Sequence, residues 1–314
     1  MLTEVQLVGP YERLVLLKAL LMSGHPPAEA LSALAHQAGE LRLAAGARIT
    51  ATDSAWERAY VVVEGRVGLY QDGQLLYSAG PTEPFALLEM FARVQGGIEV
   101  RAEVETLALE LRASTLLSVL EDHFIMTLDT VRILGRMLLT TPVWLSGSMA
   151  IRRFVVPEVV PAEGIDLVDR IRMLRASDVF ARTRLDSIAE VADQFEEFRV
   201  GAGAVLWQED EFSDWLMVLL DGRIASASKQ GLRFEWSPGT VPGLIDALVA
   251  APRWHDAIAA TPVTGLRLSA ERFLDAMEDD FEMATDVLAS VAARVRQQRL
   301  ALASTLRLGP DKRD

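Results

Sequence analysis

Histidines and clustered carboxylates are the side chains that could do acid–base or metal chemistry in this chain, and their spacing argues against both. His25, His36, His123 and His255 are scattered through the 314 residues, and no two stand at i and i+4 on one helix as a zinc pair would. Glu196 with Glu197, and Glu209, Asp210 and Glu211, form runs, but a charge run is usually a solvated loop. Cysteine is absent, which removes disulfides, thiolate nucleophiles and sulfur-ligated metals. No Gly-rich phosphate loop with its Lys and Ser or Thr, no nucleophile elbow and no kinase signature is present. The expectation is a protein that is not an enzyme and that needs no metal or cofactor.

Binding chemistry is narrowed by charge. Asp plus Glu number 44 against 31 Lys plus Arg, a net charge of −13, and no stretch offers a basic face, so direct nucleic-acid binding is not expected. Met1 to Glu4 has neither a basic nor an apolar leader, and the apolar stretch from Leu14 to Met22 is short and interrupted by Lys18. A cytoplasmic protein without a membrane span is the expectation.

The elements that must position any site come in two copies. A shift of 157 residues carries Val61, Val62, Val63, Glu64, Gly65, Arg66 and Val67 onto Val218, Leu219, Leu220, Asp221, Gly222, Arg223 and Ile224. The same shift carries Ala45–Gly46–Ala47 onto Ala202–Gly203–Ala204, Glu12–Arg13–Leu14 onto Asp169–Arg170–Ile171, and Phe124 and Met126 onto Phe281 and Met283. Helical spacing over 11–23 and 168–180 predicts an opening helix for each copy. Short apolar runs follow: 41–43, 48–52, 59–63, 67–70, 75–78 and 100–111, punctuated by Gly and Asp, which predicts antiparallel strands closing into a small barrel or jelly roll. Ser114 and Ser269 are candidate N-caps of closing helices, the second running from about Phe281 to Ala303. The fold class is therefore mainly β with flanking helices, two tandem rolls: a first domain over 1–154, a linker over 155–164 marked by Pro157, Pro161 and Gly164, and a second domain over 165–314.

Helix, roll and helices, with the strand–acid–Gly–basic turn at Val61–Val67 and Val218–Ile224, resembles the cyclic-nucleotide-binding domain family over nearly the whole chain. That resemblance implies a phosphate-binding cassette: a Gly and a Glu opening a short helix, then an Arg followed by a small residue. There the helix N-terminus and the Arg neutralise the cyclic phosphate and the Glu accepts from the ribose hydroxyl. In the second copy Gly243 matches the cassette Gly, and Arg253, preceded by Pro252 and followed by Trp254, matches the Arg. Leu244 stands where the Glu is expected, leaving Asp246 as the candidate acceptor, and Asp256 falls near the small hydroxyl residue of the family, where a carboxylate would repel phosphate. The bland alternative for Arg253 is a surface arginine beside a turn, and for Trp254, as for Trp56, Trp144, Trp207, Trp215 and Trp236, simple burial. In the first copy Gly96 falls opposite Arg253; Phe85 to Leu88 resembles the apolar end of the cassette, and Glu89 or Arg101 remain as polar candidates, so that pocket reads as degenerate.

The reading is a non-enzymatic regulatory or sensor protein that takes a cyclic nucleotide or other small anion in its second roll, or alternatively a ligand-free scaffold with vestigial pockets. A protein partner is expected in either case. Related regulators place a helix-turn-helix after the closing helix, whereas here only Arg307 to Asp314 follows. On the closing helix, Leu300 and Leu302 extend past Val295, where its own roll should end, and need cover from the opposite domain or a second chain; a homodimer is the expectation.

Overall fold

The computed structural model describes residues 8–21, 26–50, 56–140 and 164–307. The first copy runs α1 (Pro10–Leu20), α2 (Ala28–Gln37), β1 (Gly39–Leu43), β2 (Arg48–Thr50), β3 (Arg58–Glu64), β4 (Val67–Gln71), β5 (Gln74–Ala79), β6 (Pro84–Phe85), α3 (Leu87–Phe91), β7 (Ile98–Ala102), β8 (Thr106–Arg112), α4 (Ala113–Asp122) and α5 (Phe124–Thr140). The second runs α6 (Leu167–Arg175), α7 (Leu185–Ala192), β9 (Glu196–Val200), β10 (Val205–Trp207), β11 (Trp215–Asp221), β12 (Ile224–Ala227), β13 (Arg233–Trp236), α8 (Leu244–Val249), β14 (Asp256–Ala259), β15 (Val263–Ser269), α9 (Ala270–Asp279) and α10 (Phe281–Arg307). A shift of 157 places β1, β2, β3, β8 and α4 on β9, β10, β11, β15 and α9 residue for residue.

Each roll is two antiparallel sheets: β1-β8-β3-β6 and β2-β7-β4-β5 in the first, β9-β15-β11 and β10-β14-β12-β13 in the second. Register repeats as well. Tyr60 faces Glu110 and Met217 faces Arg267, and the ladder slips at the same place in both copies, between Val62 and Glu64 and between Leu219 and Asp221. Residues 59–62 of β3 and 216–220 of β11 are buried without alternation, as strands covered on both faces are. A polar latch ties each opening helix to its roll. Arg13 donates to the carbonyls of Val8 (3.2 Å) and Ala38 (2.7 Å) and pairs with Glu40 at 2.5 Å; Arg170 donates to Ile165 (3.0 Å) and Phe195 (2.9 Å), and the Ile165 N–H donates to Glu197.

By packing, the chain forms one unit of residues 1–130 with 295–314 and another of 131–294. In the second unit Arg132 of α5 donates to the Leu248 carbonyl at 3.3 Å, and Gly135 lies close against Val249. In the first, Val295 and Gln298 of α10 are buried and Leu300 and Leu302 half-buried.

Several expectations need correction. The run read as one strand over 100–111 is two, β7 and β8, broken at 103–105, where the chain must clear the Gly65 turn. Opening helix α6 ends at Arg175 and not at 180, and α2 and α7, which the sequence reading did not separate, complete each opening pair. Ser269 caps α9, its Oγ accepting from the Arg272 N–H at 3.2 Å, but Ser114 lies inside α4, whose N-cap position is Arg112. Pro157 and Pro161, and with them most of the expected linker, fall outside the described residues, as do Trp144 and His25. Among the described residues no helix is long and apolar enough to cross a membrane.

Gly65 and Gly222 sit at φ of 92° and 87°, and a Cβ on either would run into a backbone carbonyl, of Glu105 and of Pro262 respectively. Gly203 has a comparable φ of 83° with open space around it. Gly222→Ala is therefore expected to lose more stability than Gly203→Ala, whose cost is backbone strain alone, about 1–3 kcal/mol. Urea unfolding midpoints compare the two; equal losses would remove the carbonyl clash from the account.

Candidate functional site

The site of the second roll is built on the segment 239–257. Gly243 takes a φ of 81° at the start of α8, and a Cβ there would come within 2.5 Å of Arg253 Nη1 and 3.0 Å of the Trp215 carbonyl oxygen. Gly243 is thus required twice, for its backbone and for the guanidinium that packs on it. The Arg253 backbone is pinned by the loop before β11: its N–H donates to Glu211 (2.8 Å) and its carbonyl accepts from Asp210 (2.7 Å).

Arg253 is not a surface arginine. It is 1% exposed, its Nη2 donates to the Trp215 carbonyl at 2.6 Å, and its guanidinium lies 4.3 Å from the Trp207 ring centre and 5.3 Å from that of Trp215. Its counterion is Asp246, which is 2% exposed, with Nη1 and Oδ2 3.6 Å apart, close enough for ion pairing but beyond hydrogen-bond contact. Burial raises the Asp246 carboxyl to about 6, while Arg253 and a hydrogen bond from Trp254 hold it down. Beside them His255 is fully buried among Trp207, Phe234, Trp236 and Trp254, the last with ring centres 4.4 Å away; its Nδ1 contacts the Asp256 carbonyl at 3.0 Å, and burial, with the Arg253 charge, lowers it to about 4. It is neutral at pH 7.

The remaining cavity, lined by residues that include Gly243, Leu244, Asp246, Trp254 and His255, holds about 10 Å³, roughly the room of a single water. Of the residues singled out from sequence, Gly243, Leu244, Asp246, Arg253 and Trp254 come together; Trp254 is half-buried and stacks on Phe234 at 5.3 Å. Pro252 is exposed. Asp256 faces the preceding loop, accepting from the Glu209 N–H at 2.7 Å. Trp207, Trp215, Phe234 and His255 were not read as site residues, because nothing in their spacing marks four separated aromatics as neighbours.

In the first roll the equivalent place is rewritten. Ala86 occupies the Gly243 position with φ of 58°, and Glu89, 1% exposed, occupies that of Asp246. Tyr77, where the second roll has Phe234, donates its hydroxyl to Glu89 at 3.2 Å and accepts from the Ala86 N–H at 3.1 Å. Burial raises the Glu89 carboxyl. Gly96 takes the place of Arg253, and Arg101 is elsewhere, paired with Glu99 at 2.7 Å over the Tyr70 ring. Among the described residues no cluster of His, Asp or Glu could hold a metal ion.

Two antiparallel rolls, each with a short helix and a polar core at the cassette position, make up the chain. Residues 197–280, most of the second roll, match the family model of the cyclic nucleotide-binding domain. No curated protein sequence matches it. Similar solved structures include the regulatory subunit of a cAMP-independent protein kinase A from Trypanosoma cruzi bound to guanosine, at 14% identity over 86% of this chain and 88% of that one with a TM-score of 0.35. The regulatory domain of Toxoplasma gondii PKA with cAMP matches at 14% identity, 86% and 94% coverage and a TM-score of 0.34. The N-terminal domain of a transcriptional regulator from Streptomyces coelicolor A3(2) matches at 24%, covering 44% of this chain and 98% of that one, with a TM-score of 0.36.

Asp246 and His255 have opposite pH signatures. The Asp246 carboxyl is raised on folding, so the folded state binds the extra proton and stability gains as pH falls through about 6 toward 4. The His255 imidazole is lowered, so the unfolded state binds the extra proton and stability is lost as pH falls from the ordinary histidine range to about 4. Relative to wild type, His255→Gln should gain stability and Asp246→Asn lose it over that window, each by up to about 3 kcal/mol. Chemical denaturation at stepped pH checks this; parallel curves for all three proteins would contradict it.

Proposed function

We propose that this chain is a non-catalytic regulatory protein in which the nucleotide-type pocket of the second roll is occupied by the protein's own side chains, so that it acts through protein contacts and without a bound nucleotide. The observation that carries this reading is the buried Arg253–Asp246 pair, its guanidinium covered by Trp207 and Trp215, beside a cavity of only about 10 Å³ lined in part by Asp246, Trp254 and His255. Asp246 supplies the negative charge that a cyclic phosphate would bring. The first roll offers no cassette arginine at Gly96, and its acid, Glu89, would repel phosphate. A cytoplasmic setting and a homodimer along α10, whose Leu300 and Leu302 are only half-buried, belong to the same reading.

One observation favours the sensor reading instead. Arg253 Nε and Nη1, Asp246 Oδ2 and His255 Nε2 are buried without hydrogen-bond partners, and an entering anion would pair with the donors among them.

Calorimetric titration with cyclic AMP, cyclic GMP and cyclic dinucleotides separates the two. The expected result is no binding heat for the wild type and a gain of binding in Asp246→Ala with Trp254→Ala, which frees the guanidinium and opens space. Wild-type binding that is lost in Arg253→Ala would overturn the proposal; that loss would be about 1.5–3 kcal/mol for a charge-assisted hydrogen bond. For assembly, light scattering is expected to give a dimer mass that Leu300→Glu with Leu302→Glu lowers, and a monomer mass for the wild type removes the dimer.

A further inference from the structure

The first roll has changed the sign of its cassette. Where the second roll carries Arg253, Phe234 and Lys229, the first carries Gly96, Tyr77 and Asp72 at the same shift of 157. An arginine, a phenyl ring and a lysine have been replaced by no side chain, a phenol and a carboxylate. The acid of the cassette, Glu89, stays buried. What is left is a buried acid, Glu89, with a phenol and an exposed carboxylate, Asp72, near it, groups that attract a cation.

Two guanidinium groups face these side chains, both on the stretch of α10 that packs in the first unit. Arg296 Nη2 donates to Gln71 Oε1, at the end of β4 beside the turn at Asp72 and Gly73. Burial disfavours the Arg296 charge, and the carboxylates of Glu89 and Asp72 favour it. Arg299, one helical turn on, lies 5.5 Å from the Tyr77 ring centre, and its charge also acts on Glu89. Tyr77 therefore links the parts, with its ring toward Arg299 and its hydroxyl on Glu89.

We infer that the first roll is a receptor for arginine side chains presented on a helix, and that its occupant is the segment from Val295 to Leu302 of this chain's own closing helix. The recognition is guanidinium on amide, carboxylate and aromatic face, chemistry for which a lysine head is a poorer fit. The inference does not rest on whether the second roll binds a ligand.

Hydrogen exchange of the full chain, read by mass spectrometry, tests it. Arg296→Gln with Arg299→Gln should raise the exchange of amides over 295–302 by about tenfold or more, because the helix loses its charged anchors while keeping residues of similar helix propensity. Lysine at both positions should restore only part of the protection, and Gln297→Ala, at an exposed position between them, should leave it unchanged. Glu89→Gln should loosen the same segment from the other side; if that variant does not fold, the arginine variants decide alone. Unchanged protection in the double glutamine variant overturns the inference.

Discussion

A buried guanidinium is costly unless its charge is met, and the second roll is organised around balancing the charge of Arg253 and covering its plane. One donor goes to the Trp215 carbonyl, the charge is balanced by Asp246, and two indole faces cover the plane. The remaining donors are left without partners, so the arrangement is tense, and it is held because the backbone on either side is fixed by the Asp210 and Glu211 contacts. Gly243 follows from the same constraint, since any side chain there would displace the guanidinium.

The two copies show how one frame can carry opposite electrostatics. Their shared features are backbone features: the ladder slip, the glycine that passes under a neighbouring carbonyl, and the arginine latch of the opening helix onto its roll. These depend on strand geometry and tolerate little change. Side chains in the cassette carry no such load. There one copy has gathered a cation with an internal acid, and the other an acid with cations brought by a helix.

The proposed regulatory role needs an element whose packing has two alternatives. The closing helices are the natural candidates, because each is long and is divided between packing units, α5 near Val131 and α10 near Val295. Within them, Arg132 of α5 donates to the Leu248 carbonyl and Arg296 of α10 to Gln71, while Val287, Leu288 and Val291 of α10 are buried.

The duplication and most of the succession of strands along the chain were legible in the sequence because backbone requirements write directly into residue type. A Gly after an acid, a run of large apolar residues and a fixed 157-residue shift each have a local cause, so the rolls, the α10 start at Phe281 and the Ser269 cap could be read in advance. Gly243, Asp246 and Arg253 were also visible, since a motif spaced along one segment stays together. What Arg253 does was not. Its burial depends on Trp207 and Trp215, which lie far from it in the chain and meet it only when β10 and β11 close around the cassette. The Ser114 cap failed for a similar reason: the α4 boundary is set by β8 pairing with β3 through Arg112, not by the serine. Tertiary structure alone brought Arg296 and Arg299, more than 200 residues downstream of Gln71 and Tyr77, onto the first roll, because a contact between a helix end and a distant hairpin has no period, spacing or composition by which a sequence could announce it.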